Sequence, residues 1–514
     1  MKKIYLGLCM SAAVLTTSCD MDTTNFGVID TTTYIQTMDD CHAFVNGMYA
    51  HMRGKSGGTY TFYPDVQMDQ FIGLVDNGNR GGIYSKGEVQ PGDTDLADIY
   101  YNMYIMINDA NYFVPRVDEM INSGNFTEAE VALLTYYKGV AKFNRAYAYW
   151  YLFDKYVDMG EGLDTPGKGL QIVKEYLPSG DRSSYVGRST IREVIEYVST
   201  ELQEAYDFVR PYEENVSAEY CAPNSSRISS YAVAALQARF ALLVGDYATA
   251  ANKAELVIES GNYELTPIDQ YEDMWVNDEG QELIFVPYAA VGTGGLSTGV
   301  NYYRNNKEEE SDYIPTAEVL LSYDEGDVRY EAFFSLYDPL KVSGVDYVGY
   351  AFTKFPGNPA LNTGTTNSML NKAKPFRLSE LYLVAAEAYA ADGTQKNEGK
   401  ANDYLNALRA ARIDGYTDQN LSGADLMNEI RAERGKELIG EGFRMGDLRR
   451  WGNGFTRNAG FDIFKDDLKN IMEVVVNLAD GVTYTSNDYR FVWPIPTREM
   501  QVNPQLNGQQ NRGY

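Results

Sequence analysis

Apolar and aromatic residues recur at three- and four-residue spacing through 96–120, 128–156 and 188–209, the period of helices with one buried face. The stretch SSYAVAALQARFALLVGDYATAANKAELVIESGNY (229–263) predicts a helix, a tight turn at Gly245 and Asp246, a second helix and a glycine stop at Gly261. A second helical pair is predicted over 376–412, FRLSELYLVAAEAYAADGTQKNEGKANDYLNALRAAR. In the second helix of each pair, residues at matching +4 and +3 steps are small or apolar: Ala250, Ala254 and Val257, then Ala401, Leu405 and Leu408. Small residues there let two helices approach closely, as tetratricopeptide repeats require. The pairs are far apart in the chain. The pattern therefore predicts a mainly α fold, an interrupted tetratricopeptide-like helical solenoid with long irregular loop insertions and little β.

The insertions fall around 54–91 and 262–375, rich in Gly, Asn, Tyr and Pro, with one short strand expected at ELIFVPYAA. Loops of that length inside a compact fold usually carry function. The end of the chain, FVWPIPTREMQVNPQLNGQQNRGY, is punctuated by proline and has no helical period. A further helix is expected from Ala424, its apolar stripe set by Leu426 and Ile430. Continuing that stripe lands on Glu433, Arg434 and Glu437. Charges on a core-facing stripe must be paired. Arg409 or Arg412 can serve the glutamates, and Glu387, set among Leu383, Val384 and Ala388, can serve Arg434. A glycosidase would also use two carboxylates. Here the neighbouring arginines favour ionisation of both, whereas a general acid needs a raised pKa. Glu387, Arg409, Glu433, Arg434 and Glu437 are therefore assigned to a structural ion-pair frame, with no catalytic residue.

Composition narrows the partners. Lys+Arg number 44 against 72 Asp+Glu, a net charge of −28, so nucleic acid and anionic headgroups are poor partners. Tyrosine is abundant at 42 while tryptophan numbers 4, so stacking on a flat ligand falls to Tyr or Phe. The N-terminus reads as a targeting segment: Lys2 and Lys3, then an apolar run over 4–15 too short to span a bilayer comfortably. LTTSCD follows and resembles a lipobox, with cleavage before Cys19 and lipid on its thiol. This divides the chain into a signal peptide (1–18), a lipid-anchored linker (19–33) and one domain (34–514), with the membrane met through the N-terminal lipid only. Cys41 and Cys221 remain for at most one internal disulfide, and two histidines, His42 and His51, make a zinc site improbable.

PFRLSELYLVAAEAYA, ERGKELIGEGFRMGDLRRWG and WPIP…NPQLNGQQNRGY, in this order behind a lipobox, resemble the SusD/RagB family of Bacteroidetes outer-membrane lipoproteins. GVAKFNRAYAYWYLFDKY and GDYATAANKAELVIESGNY also match family segments. The resemblance implies a tetratricopeptide-like frame with a variable ligand surface. It further implies a surface-exposed lid that delivers nutrient, most often glycan, to a SusC-like TonB-dependent barrel in the outer membrane. A RagB-like lid for oligopeptides is the alternative. Two departures stand out: Arg512 where the family tail usually has proline, and YVDMGEG in place of a firmer turn after the aromatic helix.

Specificity in such proteins lies in the insertions. QFIGLVDNGNRGGIY offers Phe71, Asn77, Asn79, Arg80 and Tyr84, and GTGGLSTGVNYYRNNKEEESDY offers Tyr302, Tyr303, Arg304 and Asn305. Both combine flat faces with bidentate donors, as a polyhydroxylated ring needs. GTGGLSTG lacks a P-loop ending and the third glycine of a dinucleotide fingerprint, so it is not a nucleotide site. No cofactor is expected. DTDLAD begins like a calcium loop but has Asp98 where glycine is needed, which leaves only a weak Ca2+ site open. A lipid-anchored glycosidase and a protein-binding scaffold are the competing classes. The first requires turnover that a single carboxylate change abolishes; a neighbouring gene for a TonB-dependent barrel would count against the second.

Overall fold

The computed structural model describes residues 35–73, 81–292, 294–305, 308–342, 345–362, 368–457 and 481–514; Cys19 and its flanks lie outside them. The N-terminal half is α1 (Met38–Lys55), α2 (Thr59–Val66), β1 (Phe71–Gly73), α3 (Gly82–Ser85), α4 (Thr94–Asn122), α5 (Glu128–Tyr156), α6 (Ile191–Asn215), α7 (Ser230–Val244) and α8 (Tyr247–Ile258). Capping boxes start three of these helices: Thr37 with Asp40, Thr127 with Glu130, and Thr190 with Glu193. α5 is the central rod. Nearly every residue from Tyr136 onward is buried, because α1, α4, α6 and α7 all pack on it. A helix apolar all round is stable only in such a position.

The first hairpin forms where the pattern places it. Ser229 caps α7, Gly245 closes it in the left-handed region at φ +80°, and Asp246 caps α8. The second hairpin is α12 (Leu378–Ala390) and α13 (Glu398–Ala410), capped at α13 by Asn397. α8 packs directly against α12, so the two hairpins are neighbours in space although the chain between them runs through the second insertion. The small residues at the matched positions, Ala250, Ala254, Ala401, Leu405 and Leu408, are all buried at these contacts. α14 (Gly423–Glu437) and α15 (Arg444–Trp451) extend the array. The architecture is thus mainly α and tetratricopeptide-like.

The insertions are more ordered than their composition suggests. The first holds α2, β1 and α3. The second holds β2 (Leu283–Phe285), where a strand is expected, and also α9 (Tyr271–Asn277), α10 (Ala317–Leu320) and α11 (Val328–Phe333). Its four-stranded sheet, ordered β3-β4-β6-β7, is a correction to the sequence reading. Those strands are β3 (Tyr303–Asn305), β4 (Glu309–Ser311), β6 (Phe334–Val342) and β7 (Val345–Phe352), with β5 (Tyr313–Pro315) between the pairs. Pro339 and Gly349 make the longest hairpin read as loop. The sheet absorbs the proline where the register shifts between Tyr337 and Leu340.

Short ladders tie the insertions together and to the frame. β5 pairs antiparallel with β1, setting Ile314 opposite Ile72. β2 pairs with β8 (Phe376–Arg377), the strand that leads into α12. β9 (Phe455–Arg457) and β10 (Val482–Tyr484) form a further ladder, and α16 (Thr497–Val502) opens the tail. The tail docks on the end of α5: Trp493 donates its backbone N–H to the Lys155 carbonyl at 2.7 Å and its Nε1–H to Gln67 at 2.8 Å. The two departures from the family pattern meet there. Arg512 donates to the Asn487 carbonyl at 2.9 Å and lies 3.5 Å from the Asp158 carboxylate.

Candidate functional site

The charged segment after Leu426 builds a wall. Glu437 is fully buried and takes Arg377 at 2.7 Å, with Arg412 and Arg329 each at 3.1 Å. Glu433 is held by charge more than by aligned hydrogen bonds: Arg329 lies at 2.6 Å, Arg409 at 3.2 Å and Lys436 at 3.3 Å, yet neither oxygen has a well-directed donor. Arg434 pairs with Asp447 at 2.8 Å, and not with Glu387. Glu387 instead accepts from Arg450 and, at 2.7 Å, from the Trp451 indole. This corrects the expected Glu387–Arg434 pair. α15 folds back after the glycine turn, which brings Asp447 to Arg434 and Arg450 to Glu387.

This network fixes the turn between α14 and α15. Lys354, buried, donates to the carbonyls of Glu437 (3.1 Å) and Ile439 (2.9 Å) and to the Glu441 carboxylate (2.7 Å). Gly442 donates to Asp65 at 2.8 Å and accepts from Lys155 at 2.8 Å. Burial opposes charge on Glu433, Glu437 and Glu441, but the surrounding cations outweigh it and hold all three below the usual carboxylate range. Their stabilisation is fully present above the unfolded value near 4.5 and is lost as pH falls through the lower folded values. Asp65 has the opposite sign. Burial pushes it from 3.8 up to about 7, so the folded state holds a proton that the unfolded state has released, and stability declines as pH rises through that window. Thermal melting across pH should therefore show a loss below about pH 4.5, and Asp65→Asn should flatten the slope between about 4 and 7. An unchanged slope in that variant would remove Asp65 as its source.

The turn faces a cleft of about 60 Å³ where the frame and both insertions meet. Tyr147, Trp150 and Tyr151 of α5 form its floor; Lys55 to Gly57 and Tyr60 come from the α1–α2 turn. Trp275, Thr298, Phe355 and 371–375 come from the second insertion, and 440–443 from the α14–α15 turn. Its positions are set by hydrogen bonds. Tyr151 donates to the Tyr60 carbonyl at 2.9 Å, Ser56 to the Met52 carbonyl at 2.7 Å, and Gly58 N–H to Thr298 at 3.0 Å. Arg239 donates to Glu380 at 2.6 Å and lies over the Trp150, Phe376 and Phe443 rings, 4.4–4.9 Å from each centroid. Near the end of α1 that lines the cleft, Arg53 donates to the Tyr288 carbonyl at 2.6 Å, and Tyr288 is 70 % exposed, the most open large apolar side chain among the described residues.

The residues singled out from sequence for ligand contact fall elsewhere. Phe71 and Tyr302 are fully buried, 4.8 Å apart between centroids, and both pack on Phe352. Tyr84 stacks on Tyr63 at 4.1 Å and donates to Asp93 at 2.9 Å. Tyr303 is 3 % exposed and stacks on Tyr337. These four rings are core, because each finds a second ring to cover it; none can be an open stacking platform as placed. Arg304 is paired with Glu310 at 2.8 Å and Asp312 at 3.0 Å. The backbone of Asn305 pairs with that of Glu309 in the sheet. Asn77, Asn79 and Arg80 lie outside the described residues. Asp93 of the calcium-like run caps α4 and Asp95 accepts from Tyr63, so both are occupied by local structure. No group of three or more His, Cys, Asp or Glu fit to hold a metal occurs among the described residues. Cys41 and Cys221 are both free thiols. No helix among the described residues is long and apolar enough to cross a membrane.

Sequence reasoning missed the cleft residues Lys55 and Tyr60 and the exposed Tyr288. Tyr288 had a signal: it follows the strand in ELIFVPYAA at a point where the apolar run ends beside Pro287.

Comparison with known proteins places these features in a family. Residues 298–514 match the model described as the SusD family, and residues 20–242 match one described as starch-binding associating with outer membrane. Among solved structures, a SusD superfamily protein from Bacteroides thetaiotaomicron is similar at TM-score 0.72 and 24% identity, covering 91% of this chain and 99% of its own. A laminarin binding SusD-like protein gives TM-score 0.65 and 20% identity, with 93% and 100% covered. Surface glycan-binding protein A from Bacteroides fluxus gives 0.69 and 19%, again with 93% and 100% covered. Comparison with curated proteins gives no match. With two SusD-type models matching 20–242 and 298–514 and the fold shared along almost its whole length, this chain is a SusD-like family member.

Proposed function

We propose that the protein is a cell-surface lipoprotein, anchored through Cys19, that captures oligo- or polysaccharide and passes it to a SusC-like TonB-dependent barrel, without catalysing any reaction on it. The observation that carries this reading is the junction of both insertions at one cleft lined by Tyr147, Trp150 and Tyr151, with the exposed Tyr288 tied through its carbonyl to Arg53, near the end of α1 that lines the cleft. Sugar rings are recognised by an apolar face together with hydrogen-bonding edges, and this rim supplies both. The names of two structural neighbours, laminarin binding and surface glycan-binding, support the ligand class. The description associating with outer membrane supports the location. Glu433 and Glu437 hold the wall, and the cations around them keep both below the raised pKa that a general acid needs.

Tyr288→Ala should weaken glycan binding by about 1 kcal/mol, roughly fivefold in Kd, at an unchanged melting temperature. Calorimetry on the variant checks this. Undiminished affinity would take Tyr288 out of the site.

A further inference from the structure

Resting on that reading, we infer that the glycan is an acidic one, and that a carboxylate or sulfate on the sugar enters the cleft while the rings lie across its mouth. The size of the cleft is the first reason. At about 60 Å³ it is far below the roughly 300–1,000 Å³ that encloses a whole small-molecule ligand, so it admits a substituent and not a pyranose.

Charge is the second. In a chain of net charge −28, the mouth gathers cations without matching carboxylates. Lys55 lines the cleft and forms no ion pair among the described residues; the nearest anion acting on it is Asp109, which is 2.7 Å from His51. Arg53, two residues back and on another face of α1, donates to the Tyr288 carbonyl. Lys372, on the opposite lip, has only a loose contact at 3.7 Å with the exposed Glu279. Deeper in the cleft the balance differs, since Lys374, Lys155 and Arg239 are matched by Asp278, Asp154 and Glu380.

The third reason is an unanswered donor. Trp275 lines the cleft, is 1 % exposed, and its Nε1–H has no acceptor among the described residues. A buried donor left without a partner carries a desolvation cost that an incoming oxygen would relieve. Burial also pushes the Lys55 ammonium down, a sign of a charge drawn partly out of water with little to balance it. An anionic group entering the cleft would meet the two lysines and the Trp275 donor that line it. A neutral glycan would leave both ammonium groups as they are.

The test is affinity electrophoresis of the protein in gels containing polygalacturonate (carboxylate only), dextran sulfate (sulfate only), laminarin or starch (both neutral). Retardation by at least one acidic polymer, at least tenfold stronger than by either neutral one and weakened by added salt, is expected. The arm that responds separates carboxylate from sulfate. In Lys55→Gln and in Lys372→Gln the acidic-to-neutral ratio should fall about tenfold, with the melting temperature of each variant confirming that it is folded. Equal retardation by neutral and acidic polymers, or an unchanged ratio in both variants, would overturn the inference and leave glycan capture standing. Retardation by no polymer at all would overturn both.

Discussion

Glu437→Gln lowers the unfolding free energy by about 3–5 kcal/mol, read as a shift of the denaturant midpoint. The size follows from what the carboxylate faces. Arg329, Arg377 and Arg412, all buried, lie within 3.1 Å of its two oxygens, and Tyr271 donates to it at 3.4 Å. Without its charge Arg412 keeps only Glu282 as an ionic partner, and three guanidiniums crowd with less between them. Removing one member of such a group costs more than the group contributes as a whole, because the remaining charges stay buried and uncompensated. A loss under about 1 kcal/mol would mean that water reaches the cluster and screens it. Since the substitution acts on the wall of the cleft and on no ligand-facing atom, binding by the fraction still folded should change little.

Gly442→Ala is the second large effect. Gly442 sits at φ +86°, and a Cβ there would lie 2.9 Å from the Thr61 Cα. The left-handed conformation costs an L-residue about 1–2 kcal/mol, and the contact is with backbone, which cannot rotate away. The turn must shift, and with it the hydrogen bonds to Asp65 and Lys155. A total of roughly 2–4 kcal/mol is expected. Unlike Glu437→Gln, this change should also weaken ligand binding, because the Gly442 turn and Tyr60 line the same cleft. Stability within about 0.5 kcal/mol of the parent would show that the turn has room the structure does not display.

These two positions also show where the sequence speaks and where it stops. Glutamates on an apolar stripe demand partners, and that demand is visible from Leu426 and Ile430 alone. Which arginine answers is set by chain folding far away. Arg329 and Arg377 come from the second insertion and its edge, and no local spacing announces them. The helical hairpins were legible because their caps and small residues act within a few positions, as at Ser229, Gly245 and Asn397. The four-stranded sheet was not, because its longest hairpin carries Pro339 and pairs through a shifted register.

The binding surface was the least legible part. An aromatic ring reads the same in sequence whether it is stacked on another ring, as Tyr303 is on Tyr337, or stands open to solvent, as Tyr288 does. Tyr302 and Phe71 lie next to loop glycines and asparagines and look available, yet they pack on each other and on Phe352 and both become core. The two insertions were legible as segments by their composition, and both contribute residues to the cleft. The contact residues within them depend on which rings those insertions use to pack against each other.

The claim that organises this account is that the protein holds glycan without breaking it. The most direct measurement is incubation with a panel of polysaccharides and, separately, mixed peptides, following both binding and polymer length. Retardation or heat is expected with at least one polysaccharide, with that polymer recovered at its original length, and none with peptides. Heat on adding peptides with no response to any polysaccharide, or shortening of the bound polymer, would contradict it.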